Sequence, residues 1–103
     1  MTRRLRWTLT RRSAREISEA AAWWEANRPK APTAFDDDLQ KALNLITAQP
    51  NIGTQARNMR MSGVQRVHLS RVRYYLYYRV SPSSGEVVVL CLWHMSRGSD
   101  PRL

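Results

Sequence analysis

The stretch from Val64 to His94 constrains the fold more than any other part of the chain. Val64 to Val80 reads Val-Gln-Arg-Val-His-Leu-Ser-Arg-Val-Arg-Tyr-Tyr-Leu-Tyr-Tyr-Arg-Val, and Glu86 to His94 reads Glu-Val-Val-Val-Leu-Cys-Leu-Trp-His. β-Branched and aromatic side chains crowd helices but suit a pleated surface. The pattern predicts three consecutive strands near 64–70, 73–80 and 86–93. Ser81-Pro82-Ser83-Ser84-Gly85 supplies the turn chemistry of the last hairpin. The third strand is apolar at almost every position, which predicts a central strand covered on both faces.

Alternation along a strand assigns its faces. Val67 and Leu69 fall on one side, with Arg66, His68 and Ser70 on the other. Tyr74, Leu76, Tyr78 and Val80 are then core-facing, and Arg73, Tyr75, Tyr77 and Arg79 face outward. The expectation is an exposed sheet face rich in Arg, His and Tyr.

Upstream, Leu5, Trp7 and Leu9 alternate with polar residues as in a short half-buried strand. Thr10 suits an N-cap. Ala14, Ile17, Ala20, Ala21 and Trp24 follow at helical spacing, predicting a helix over 11–27 that stops before Pro29. A second helix is expected from near Pro32 to Gln49, with Phe35, Leu39, Ala42, Leu43 and Ile46 as its apolar stripe. Asp36, Asp37 and Asp38 read as a helix-start and solubility feature. The short connection predicts an antiparallel helix hairpin covering one sheet face. Residues 50–63 read as a basic loop, in which Met59 and Met61 either tuck beneath it or meet a partner.

A chain of 103 residues makes one domain, 1–103. Its formal charge of +9 is uneven. The first fifteen residues carry six arginines and no acid, and the other excess lies beyond residue 39. Such a distribution attracts polyanions or an acidic protein. The basic start, Met1-Thr-Arg-Arg-Leu-Arg, has no apolar segment after it, so neither a signal peptide nor a membrane span is expected and the location is read as cytoplasmic. Cys91 is the single cysteine and sits in an apolar run, as a buried inert thiol does. No metal site and no cofactor are expected, because two His, one Cys and an acidic triplet lack ligand spacing.

Chemistry then has to come from the basic face. Arginines meeting phosphates and phenols stacking on bases would bind nucleic acid. A solvated face with aromatic cross-strand pairs is the plainer alternative. Metal-free RNA cleavage would need an acid, a base and cations on the phosphorane. Arg66, His68, Arg73, Tyr75 and Arg79 are the candidates for that set. His94 reads either as a structural hydrogen-bonding histidine or as a residue at a functional rim. Helical spacing puts Trp24 in the core and leaves Trp23 elsewhere, an interface anchor if exposed.

The whole pattern resembles the RelE/ParE superfamily of toxins from bacterial type II toxin–antitoxin systems. The carriers are Trp23-Trp-Glu-Ala-Asn-Arg-Pro, Ala34-Phe-Asp-Asp-Asp-Leu, Leu45-Ile-Thr-Ala-Gln-Pro-Asn-Ile-Gly, Gly63-Val-Gln-Arg-Val-His-Leu, Tyr74-Tyr-Leu-Tyr-Tyr-Arg-Val and Leu92-Trp-His. The resemblance implies an α+β fold of order β-α-α-β-β-β, a helical hairpin on a small antiparallel sheet. It also implies a cognate, acidic, ParD-like antitoxin that neutralises the chain. Two activities occur in the superfamily: mRNA cleavage on the ribosome and poisoning of DNA gyrase.

This chain looks closer to the gyrase-directed, ParE-like branch. The two lysines that alternate along one strand of the ribonuclease branch read Arg66 and His68 here. The arginine after the first tyrosine of the next strand reads Tyr75, no tyrosine follows Tyr78, and the helical tail of that branch is missing. The resemblance therefore implies a toxin that binds rather than cuts, with an endoribonuclease or a plain nucleic-acid-binding module as alternatives. Arg71, Arg73, Arg79 and Arg97 are the expected target contacts, and Trp23 the expected antitoxin contact.

Overall fold

The computed structural model describes residues 4–103; the first three residues of the basic start lie outside the described residues. The elements run β1 (Trp7–Leu9), α1 (Arg11–Asn27), α2 (Ala34–Ala48), β2 (Thr54–Gln55), β3 (Gln65–Leu69), β4 (Tyr74–Val80) and β5 (Val87–His94). The sheet order is β1-β5-β4-β3-β2. The fold class stands as expected, with two refinements. β1 joins the sheet parallel to β5, so the sheet is mixed. The 50–63 loop also contributes the two-residue strand β2, antiparallel to β3.

The helices form where their ends are satisfied. Thr10 accepts from the Ser13 amide and caps α1. The Arg28 amide closes the other end on the Trp24 carbonyl. Along α1 the fully buried residues are Ser13 and Ala20, while Ala14 is exposed. The hydroxyl of Ser13 explains the shift, because it donates to the Val89 carbonyl at 2.8 Å and pins α1 onto β5. Along α2 the expected stripe holds: Phe35, Ala42, Leu43 and Ile46 are buried, and Leu39 packs beside them.

The main core lies between the helices and the sheet, centred on Phe35, Ile46, Leu69, Leu76, Tyr78, Val87 and Val89. β5 is central in that part of the sheet and covered on both faces, as its apolar run implies. A β-bulge interrupts its pairing with β4: Tyr77 opposes Cys91, but Tyr78 opposes Val89. The extra residue, Leu90, places Leu90 and Cys91 together on the helix-distal face.

That face corrects one expectation. Tyr77 does not face solvent; it is 1% exposed. With Val64, Leu90 and Cys91 it forms a second small core, covered by Ala56, Met59 and Leu103. A loop and the C-terminal segment thus cap much of the face that alternation alone leaves open. Met61, by contrast, remains exposed. Among the described residues no helix is long and apolar enough to cross a membrane.

Candidate functional site

The turn between β3 and β4 builds the most distinctive surface. Its start is fixed by α2, because the Asp38 carboxylate accepts from the amides of Arg71 at 3.0 Å and Val72 at 3.2 Å. Its end is closed by the Arg73 amide on the Leu69 carbonyl at 2.7 Å. Arg73 there adopts a φ of 66°, a left-handed conformation that a residue with a Cβ rarely takes. The acidic triplet is therefore more than a helix-start feature, since Asp38 holds this turn.

The turn faces the end of α1 across a cleft of about 290 Å³. The walls are Trp23, Trp24, Arg28, Arg71, Val72, Arg73, Tyr74 and His94. Trp23 and Trp24 meet edge to face at 5.8 Å, and the Arg28 guanidinium lies 5.2 Å from the Trp23 ring centroid. Tyr74 contacts Phe35 below and His94 beside it, both edge on. Burial pushes the Tyr74 hydroxyl above its ordinary pKa, with a hydrogen bond to Trp24 opposing. His94 is fixed through Nδ1 and the Ser96 hydroxyl at 2.6 Å. Among the described residues no acidic side chain lines this cleft.

The ion pairs among the described residues are Arg12–Glu16 and Arg15–Glu19. The guanidiniums of Arg28, Arg71 and Arg73 consequently have no carboxylate partner among the described residues. All three residues are exposed; Arg28 lies against the Trp23 and Trp24 rings and donates to the Asn27 carbonyl at 3.1 Å. A second groove shares the Trp23, Tyr74 and His94 walls and continues to Glu16, Glu19, Leu92 and Arg97.

The helix-distal face holds a different group. The Arg66 guanidinium lies 4.3 Å from the Tyr75 ring centroid and donates to the Tyr77 hydroxyl at 3.3 Å. That hydrogen bond, helped by the Tyr77, Tyr75 and Asp100 charges, raises the Arg66 pKa above its ordinary value. His68 meets Tyr75 edge on at 4.9 Å.

The expected residues therefore divide. Arg66, His68 and Tyr75 come together on the helix-distal face. Arg73 does not join them, because the left-handed turn directs it into the helix-side cleft with Arg71 and Trp23. Arg79 sits half-buried near the far end of β4, about 20 Å along the strand from Arg73. Arg97 stacks 3.9 Å over Trp93 and lines the adjoining groove. The five-residue set proposed for RNA cleavage is thus not one site. Sequence reasoning missed Arg28, Tyr74 and Asp38 and left His94 open; the cation placed just beyond Trp23-Trp24 was the available signal for Arg28.

Cys91 is buried, and its thiol is pushed up to about 12, first by burial and then by the Glu16 charge. It stays protonated and inert at neutral pH. No grouping of His, Cys, Asp and Glu suited to a metal occurs among the described residues.

These features define a small basic α+β domain with an arginine-lined cleft. Residues 8–98 match the model of the ParE toxin of type II toxin–antitoxin systems, parDE, and the chain belongs to that family. A solved structure described as a chromosomal ParDE TA system from P. aeruginosa superposes with a TM-score of 0.69 at 17% identity. The match covers 89% of this chain and 97% of the other, and at that identity it speaks for the fold alone. No curated protein matches the sequence.

Proposed function

We propose that this ParE-family toxin acts by binding DNA gyrase and blocking replication, and that a cognate ParD-like antitoxin neutralises it. The single observation behind this reading is the helix-side cleft. Three arginines without carboxylate partners among the described residues line it beside an exposed Trp23, while Arg73 and Arg79 lie apart from the group of Arg66, His68 and Tyr75. An exposed arginine–aromatic surface is the kind that anchors a protein partner.

The antitoxin reading rests on charge and on the family. A net +9 fits an acidic partner, and the similar P. aeruginosa structure is described as a ParDE system. Trp23, 47% exposed, is the anchor expected for an amphipathic antitoxin helix. The place of action on this reading is the cytoplasm.

Purified chain incubated with gyrase and supercoiled plasmid is expected to accumulate cleaved gyrase–DNA complexes. Translating ribosomes treated in parallel should keep their mRNA intact; codon-positioned cuts with no effect on gyrase would overturn the proposal. Arg71→Ala and Arg73→Ala should relieve growth arrest while retaining the native circular dichroism spectrum.

A further inference from the structure

The cleft has a chemistry more specific than attraction to a large partner. Its cations are Arg28, Arg71 and Arg73, and its exposed ring surface comes from Trp23 with Tyr74 and His94 alongside. Two elements hold the backbone that bears the cations. Asp38 anchors the turn bearing Arg71 and Arg73, and the closed end of α1 carries Arg28. The backbone beneath the cations is thus set before any ligand arrives, and only the side chains remain to be ordered on binding.

Three features select among anions. Three guanidiniums suit a terminal phosphate, which carries about −1.5 to −2 charge, better than a single carboxylate. An exposed indole face offers stacking to a nucleobase, which an acidic side chain cannot use. The volume, about 290 Å³, lies at the small end of ligand cavities and suits one nucleotide better than a helix. Beyond the shared walls the groove continues to Glu16, Glu19 and Arg97, the two glutamates being paired with Arg12 and Arg15.

We propose that this cleft binds the phosphate-terminated end of a single-stranded nucleic acid. The phosphate lies among Arg28, Arg71 and Arg73, and the terminal base rests against Trp23. The inference stands on the cleft's chemistry and holds whether or not gyrase is the target.

The test uses the full chain and fluorescently labelled four-nucleotide DNA with a 5′-phosphate, a 3′-phosphate or neither, followed by anisotropy at fixed salt. A phosphorylated end should bind at least tenfold more tightly than the unphosphorylated oligonucleotide, and the preferred end identifies the source of the phosphate. Arg71→Ala and Arg73→Ala should abolish that preference, and Trp23→Ala should weaken all three oligonucleotides. Lys41→Ala, which removes one charge from the exposed side of α2, should leave the preference intact. Three results would overturn the proposal: no preference in the parent chain, an equal loss in Lys41→Ala, or displacement of the oligonucleotide by a glutamate-rich peptide at lower concentration than by phosphorylated DNA.

Discussion

Gly53 and Tyr78 face each other where the loop after α2 meets the sheet. The Gly53 amide donates to the Tyr78 hydroxyl at 3.0 Å, and that hydroxyl donates to the Pro50 carbonyl at 2.8 Å. A Cβ at residue 53 would lie 2.6 Å from the hydroxyl and 3.0 Å from the Arg66 carbonyl. Gly53→Ala should therefore destabilise by about 1–3 kcal/mol through overpacking. Tyr78→Phe should cost about 1–3 kcal/mol by leaving polar groups unpaired. Because both changes act on one contact, the double variant should lose less than the sum in a urea-melt cycle. Alkaline pH tests single residues in another way. The Cys91 thiol is pushed from 9.0 to about 12, and burial raises Tyr74 and Tyr78 above 10.0. In each case the unfolded chain ionises first, so the stabilising contribution is complete below the unfolded value and is lost as pH rises through the folded one. The melting temperature should begin to fall near pH 9. In Cys91→Ala the onset should move to near pH 10, where the tyrosines take over.

Among the elements, the β3–β4 turn sets function against stability. Arg73 bears a left-handed φ of 66°, and a residue with a Cβ pays about 1–2 kcal/mol for that conformation. Arg73→Gly should stabilise the chain by about 1 kcal/mol in urea melts while relieving growth arrest. Asp38→Ala should do the reverse to stability, since the Arg71 and Val72 amides lose their acceptor. A loss of toxicity would accompany it as the turn loosens. Opposite stability changes with a shared functional loss would identify the turn as a positioning device. This turn also shows where sequence pattern stops being informative. Alternation placed Tyr74, Leu76 and Tyr78 correctly, because they lie inside a regular ladder. It misplaced Arg73, which precedes the first paired residue and answers to the turn's φ instead. It misplaced Tyr77 for a different reason: the strand faces outward there as expected, but distant segments cover it. Helix positions were legible wherever 3.6-residue spacing met a hydrophobic contact, as along α2. Ser13 displaced Ala14 in α1 because its hydroxyl reaches the Val89 carbonyl, a contact invisible to periodicity. Trp23, Arg71 and Arg73 were each legible as candidates, but their meeting in one cleft depends on Asp38 bridging α2 to the turn.

For the molecule as a whole, the two faces of the sheet have different covers. The helix hairpin closes one, and residues 56–61 with the C-terminal segment close the other. That second cover is held by backbone more than by bulk. Trp93 Nε1 donates to the Ser99 carbonyl at 2.8 Å, and Arg12 donates to the Arg102 carbonyl at 2.9 Å. The amides of Arg60 and Met61 donate to Leu103 at 2.8 and 3.3 Å. Pro101 is buried, and Leu103 rests on the cluster of Val64, Tyr77, Leu90 and Cys91. Removing residues 99–103 should therefore uncover apolar surface without touching the arginine cleft on the other face. Losing the Leu103 and Pro101 contacts should cost about 2 kcal/mol. In a domain of this size that lowers the melting temperature by about 10 °C. Binding of an environment-sensitive hydrophobic dye should rise, while Trp23-dependent antitoxin binding at low temperature should persist. If the truncated chain kept its melting temperature and bound no dye, the second core would be a minor contributor, and the sheet face beneath it would be open to partners after all.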